Sequence, residues 1–258
     1  MKLAFISDIH ANLPALEATW NDIQKQKPDI IFCLGDLVNF AGWDNEVIEF
    51  IRNKNIPTLQ GNHDEGIGYG YDTFNYSYKT EAQHQFGIAS IERLRTSVTE
   101  ENKRFLRSLP FSVKLVYKFP FHHITIALVH GSVFSNNDYI YPNTKDKDLL
   151  IMLDEIDADI LLMGHTHKPF HKAIFCEEEN RKLYRHAINV GSVGKPKHGN
   201  NKSCYTLLEI DEAISLNEPD AVRVHFKYVA YDTAKVINHI HALGLGNAYD
   251  DFLKNGES

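Results

Sequence analysis

The chain has 258 residues, 43% of them hydrophobic and 24% charged, the proportions of a globular domain able to bury a sizeable core. Its formal net charge of −7 weighs against extended binding to a nucleic-acid backbone, and no apolar run approaches the ~18 residues of a membrane span. Three widely spaced cysteines, Cys33, Cys176 and Cys204, fit neither a disulfide framework nor a zinc ribbon, so a reducing cytoplasm is the expected location.

Taken in chain order, residues 3–6 open as an apolar run, which Asp8 and His10 interrupt too early for a signal-peptide core. Leu13, Leu16, Trp20 and Ile23 then recur at helical spacing, with Pro14 where a helix start tolerates it. Residues 30–34, 124–129 and 160–163 read as strands buried on both faces, and 56–59 as a shorter one. Residues 65–110 break the alternation. They begin with Gly66, Gly68 and Gly70, pass through Tyr69, Tyr71, Phe74, Tyr76 and Tyr78, and are expected to be helical over 80–109, as an insertion over one sheet edge. Strands follow at 170–175 and 203–210, with a turn at 177–180, and Val222 to Ala230 alternates as a strand with one wet face. Asp232 is a candidate cap for a last helix carrying Val236, Ile240 and Leu243. The expected architecture is a single domain, a four-layer αββα sandwich of two mixed sheets flanked by helices.

The chemistry lies where the strands stop. Ser7-Asp8-Ile9-His10, Gly35-Asp36, Gly61-Asn62-His63-Asp64, His130-Gly131 and Gly164-His165-Thr166-His167 each follow an apolar run, so the five loops should share one sheet edge. Imidazole and carboxylate donors with no thiolate suit borderline divalent ions such as manganese, iron, zinc, nickel or cobalt. Asp8 and Asp36 cancel two of the four charges on two such ions. A cationic pocket is left in an acidic protein, as a phosphate substrate requires. The chain's 14 histidines point the same way.

This series of motifs, spanning residues 8–167 in order, resembles the calcineurin-like metallophosphoesterases. The resemblance implies a dinuclear site in which Asp8, His10 and His167 hold one metal, Asn62, His130 and His165 the other, and Asp36 bridges. It implies in-line attack on phosphorus by a bridging hydroxide, with His63 assisting the leaving oxygen and Asp64 orienting His63. The Gly35-Asp36-Leu37-Val38-Asn39-Phe40-Ala41 run lacks the second acid and the arginine of the protein serine/threonine phosphatases, whereas Asp8 to Asn12 is closer to the small bacterial phosphodiesterases and dinucleoside polyphosphatases. A small phosphodiester is therefore the expected substrate, with nucleotide-type compounds second. A metal-binding scaffold without activity, or a nuclease, are the alternatives; the chain shows no basic track for the latter.

Asn12, Tyr69, Tyr71 and His198 are further candidates for substrate contact. Packing of the insertion against the sheet is the favoured reading of the tyrosines, and stacking on a base the alternative. His198 follows the Gly191-Ser192-Val193-Gly194 loop, which resembles a loop near the site in small bacterial members.

Overall fold

The computed structural model describes residues 1–72, 78–120, 122–178, 181–211 and 214–256. Its elements are β1 (Lys2–Ile6), α1 (Leu13–Gln26), β2 (Ile30–Cys33), α2 (Asp44–Asn53), α3 (Asn62–Tyr69), α4 (Glu81–Ser97), α5 (Glu100–Ser108), β3 (Ser112–Lys118) and β4 (His123–Val129). They continue with α6 (Asp146–Glu155), β5 (Ile160–Met163), β6 (Phe170–Glu178), β7 (Arg181–Asn189), β8 (Ser203–Glu209), β9 (Arg223–Val229), α7 (Thr233–Ala242) and α8 (Asp250–Asn255).

Two mixed sheets result, in the orders β2-β1-β8-β9 and β3-β4-β5-β7-β6. In the first, β1 runs parallel to β2, pairing Leu3 with Ile30, and antiparallel to β8, pairing Leu3 with Leu208. In the second, β4, β5 and β7 are parallel, with Ala127 opposite Leu161 and Leu161 opposite Ala187. Alternation along each strand sorts its side chains into layers. Leu3 and Phe5 meet Ile126, Leu128 and Leu162 between the sheets. Ala4 and Ile6 face Leu16, Val47 and Ile51 of α1 and α2, while Ala127 and Val129 face Leu149 and Leu153 of α6. Helix, sheet, sheet and helix therefore stack in the expected αββα order. No helix among the described residues is long and apolar enough to cross a membrane.

Local sequence explains most element ends. Asn12 caps α1 by accepting a hydrogen bond from Ala15 N, and Thr80, Thr99 and Asp232 cap α4, α5 and α7 in the same way. The stretch expected to be helical over 80–109 is two helices, because Thr99 starts a new one after Val98 leaves the helical conformation. Residues 56–59 are no full strand. They make one bridge, Cys33 to Thr58, since Pro57 has no N–H to extend a ladder. The expected start of the insertion, at 65, falls inside α3, which begins at Asn62. Phe74 and Tyr76, and part of the 177–180 turn, lie outside the described residues.

Candidate metal centre

The loops after β1, β2, β4 and β5 and the first turn of α3 converge at one edge of the sandwich. Their backbones are unusual. Asp8, His10, Asp36, His165 and His167 all have φ between 50° and 63°, the left-handed region that costs an L-residue with a Cβ about 1–2 kcal/mol. Such conformations persist where surrounding contacts fix them. Here Asp8 N donates to Gly35 O, His10 N to Asp36 O, and Gly164 N to His130 O, each at 2.8–2.9 Å. Two glycines permit the closest approaches. A Cβ on Gly61 would stand 2.1 Å from Asp36 Oδ1, and one on Gly164 would stand 2.7 Å from Asp8 Oδ2.

Among the described residues the side chains form three groups, each with its donor atoms within 4.8 Å of one another: Asp8, His10 and His167; Asp36, His130 and His165; and His10, Asp36 and His63, which overlaps the other two. His10 Nε2 lies 3.1 Å from His167 Nε2, and Asp8 Oδ1 lies 3.2 Å from the latter. Asp36 stands between the clusters, its Oδ2 3.7 Å from His10 Nε2 and 3.4 Å from His130 Nε2. Asn62 Oδ1 lies 3.1 Å from His130 Nε2. All seven side chains are buried.

These residues fit divalent cations by three physical tests. Among the described residues, buried Asp8 Oδ1 and His165 Nε2 find no hydrogen-bond partner, a costly state that a cation would relieve. His167 Nδ1 donates to Lys195 O at 2.5 Å and His130 Nδ1 to Leu34 O at 2.8 Å, so on each ring Nε2 is the nitrogen left to ligate. Finally, two buried carboxylates stand among neutral rings. Burial drives the imidazoles of His10 and His167 well below their usual pKa and that of His165 down to about 3, so these rings are neutral, as ligands must be.

His130 is the exception. Burial opposes its charge, but Asp36, Asp8 and the bond to Leu34 O outweigh burial and raise its pKa to about 10. Burial likewise opposes the charge of Asp36, yet His130 and His63 hold its carboxyl well below the usual range. In metal-free protein this raised pKa contributes stability fully present below the unfolded histidine pKa of about 6.5, and the contribution is lost as pH rises through about 10. A metal on His130 Nε2 must displace that proton. Metal affinity is therefore expected to rise with pH, by up to about tenfold per unit near neutrality for one displaced proton. Calorimetric titrations in buffers of different ionisation enthalpy would measure the release; its absence would contradict the ligand role of His130.

His63 sits on the open side of the cluster, its Nε2 3.9 Å from Asp36 Oδ2. Its orientation comes from a residue to which sequence reading gave no role. Asn39 Oδ1 accepts from Phe40 N and from Ser90 Oγ of α4, so the Asn39 amide must turn its Nδ2 toward His63 Nδ1, 2.9 Å away. That donor makes Nδ1 an acceptor and leaves the proton on Nε2. Burial, reinforced by Lys195, lowers the His63 pKa to about 4, against the pull of Asp36. A neutral imidazole with Nε2–H directed into the cleft results.

Asp64 does not orient His63. Its carboxylate accepts from the backbone N–H groups of Asp36 at 2.8 Å, Leu37 at 2.8 Å and Gly61 at 3.0 Å, which locks the two ligand-bearing loops together. Nor is Asn12 turned toward the cleft: Nδ2 donates to Gly194 O and Oδ1 caps α1. Tyr69 and Tyr71 are 55% and 45% exposed, stacked on each other, with the Tyr71 hydroxyl donating to Glu65. His198 packs on Tyr228 and pairs with Asn200. None of these four lines the cleft. Its walls beyond the cluster are Tyr78, Phe86, Tyr139 and Tyr249, with Lys195 and Lys197. The lysines directly follow the Gly191–Gly194 loop, the sequence signal that could have found them.

Comparison with known proteins places these features in context. A family model described as calcineurin-like phosphoesterase matches residues 1–169. An uncharacterized protein of Methanocaldococcus jannaschii is 33% identical over 220 residues, 80% of this chain and 82% of that protein. A metallophosphoesterase from Sphaerobacter thermophilus superposes with a TM-score of 0.70 at 25% identity, covering 96% of each chain. A hypothetical protein from Pyrococcus horikoshii OT3 shares the fold, with a TM-score of 0.74 at 20% identity over 100% of this chain and 99% of that one.

Proposed function

Because this chain belongs to the calcineurin-like phosphoesterase family, we propose that it hydrolyses small phosphodiesters in a cleft that takes two divalent ions. The observation that carries this reading is the pair of donor clusters with Asp36 within reach of both, and the neutral imidazole of His63 beside them. Asp8, His10 and His167 would hold one ion, and Asn62, His130 and His165 the other, with Asp36 between. When bound, divalent ions supply Lewis acidity toward phosphoryl oxygens and a nucleophile at neutral pH.

The chain's own groups do the rest. Buried Asp8 and Asp36 place two negative charges at the floor, and the seven donors sit in a water-poor pocket where electrostatic contacts strengthen. Asn39 fixes the His63 ring with Nε2–H toward the cleft, where it can donate to the departing oxygen of an ester. A donor of this kind suits a diester, whose leaving group needs a proton or hydrogen bond as its bond to phosphorus breaks. Convergence of every donor, with His63 in place, favours hydrolysis over an inert scaffold.

The test is hydrolysis of bis(p-nitrophenyl) phosphate by protein of measured metal content, with and without added manganese. Turnover that a chelator removes and manganese restores is expected. No turnover by metal-loaded protein would contradict the reading.

A further inference from the structure

A second cleft adjoins the one over the histidines. Lys195, Lys197, Tyr78, Tyr139 and Tyr249 line both, whereas Lys79 and Lys168 line only the outer one. Four lysine side chains gathered at one opening contrast with the net charge of −7. Lys195 Nζ lies over the Phe40 ring at 4.4 Å and the Tyr249 ring at 4.3 Å from their centroids. Among the described residues, neither Lys195 nor Lys197 forms an ion pair with a carboxylate. Both side chains are half-buried, which lowers the pKa of each, and the Phe40 and Tyr249 ring faces offset part of that cost for Lys195.

The lysine loop is also tied to the ligand loops. Gly194 N donates to Asp8 O and Lys197 N to His167 O, while Lys195 O accepts from His167 Nδ1 and Ser192 Oγ donates to Asp8 O. The approach is so close that a Cβ on Gly194 would stand 1.7 Å from Ile9 O. Two lysine side chains are thus held on a loop fixed relative to the histidine cluster before any ligand arrives, which spares a bound anion the cost of ordering that loop.

We propose that Lys195 and Lys197 form a subsite for a second phosphate group, next to the one that the metal cluster receives. The preferred substrates are accordingly organic phosphoesters that carry a further phosphate beside the scissile one. Their organic part lies along the outer cleft, where the Tyr139 and Tyr141 rings stack at 6.1 Å. This inference rests on the phosphoesterase reading above.

Calorimetric binding tests it without turnover. AMP is compared with α,β-methylene-ADP, which adds a phosphate group and resists cleavage, on as-isolated protein of measured metal content. Parent protein is expected to bind methylene-ADP about tenfold more tightly than AMP, the scale of one charge-assisted contact. Lys197→Met should reduce that preference to within about twofold. Lys195→Met serves as the second variant, because its chain retains the packing between Phe40 and Tyr249. Loss of the preference in either folded variant supports the subsite. A preference below about threefold in the parent, or one kept by both variants, overturns it. Hydrolysis of bis(p-nitrophenyl) phosphate, which has no second anionic group, is followed on the same preparation after loading with manganese. If the diester is cleaved but the preference is missing, the subsite alone fails. If the preference holds and no diester is cleaved, the phosphoesterase reading fails instead.

Discussion

Replacing Asp36 with alanine is expected to remove metal from both positions and to lower phosphodiester turnover by at least ~10³-fold. The magnitude follows from losing several kcal/mol of transition-state charge stabilisation, at 1.36 kcal/mol per factor of ten. Among the described residues, Asp36 is the one carboxylate within reach of His10, His63 and His130 together. Its Oδ1 also accepts from His63 N at 2.9 Å, so the residue joins the ligand loop after β2 to the start of α3. In metal-free protein the alanine also removes the carboxylate that chiefly keeps buried His130 protonated, so the stability of that pair is lost. Asp36→Asn keeps the shape and is the variant to use should alanine not fold. Elemental analysis beside a kinetic assay would check both effects. Two equivalents of metal retained by either folded variant would exclude Asp36 as the shared ligand.

His63→Ala separates metal binding from proton donation. Metal content should stay at the parent level, because the ring lies on the open side of the clusters, while kcat falls by ~10²–10⁴-fold, the usual contribution of a positioned acid. The loss should shrink for an ester with a very acidic leaving group, which departs with little help. Asn39→Leu should reproduce part of the loss, since it removes the donor that keeps the proton on His63 Nε2. A His63→Ala variant with full turnover on a poor leaving group would remove His63 from the reaction.

The layered fold and the site's location were legible because each motif stands at a short, fixed offset from an apolar run. Asp8, Asp36, His130 and His165 each follow the end of a buried strand by one to three residues, and parallel strands bring such ends to one edge. Contacts across long sequence gaps were not legible. Ser90 reaches Asn39 over 51 residues and fixes the His63 tautomer, yet no spacing rule links them. The role expected for Asp64 failed on helix geometry: adjacent residues on α3 point about 100° apart, so Asp64 turns inward to backbone N–H groups when His63 faces the cleft. Tyr69 lies seven residues along that helix from Asn62, roughly 10 Å away along the axis, and so stands outside the cleft. Asn12 was readable after all. A short polar residue just before Leu13-Pro14 is a helix cap, and its side chain is occupied in that role.

The measurement closest to the central claim is anomalous diffraction from crystals soaked in manganese. Two peaks are expected about 3.5–4 Å apart, one touching Asp8, His10 and His167, the other Asn62, His130 and His165, with Asp36 reaching both. Manganese bound elsewhere, or nowhere, would contradict the assignment.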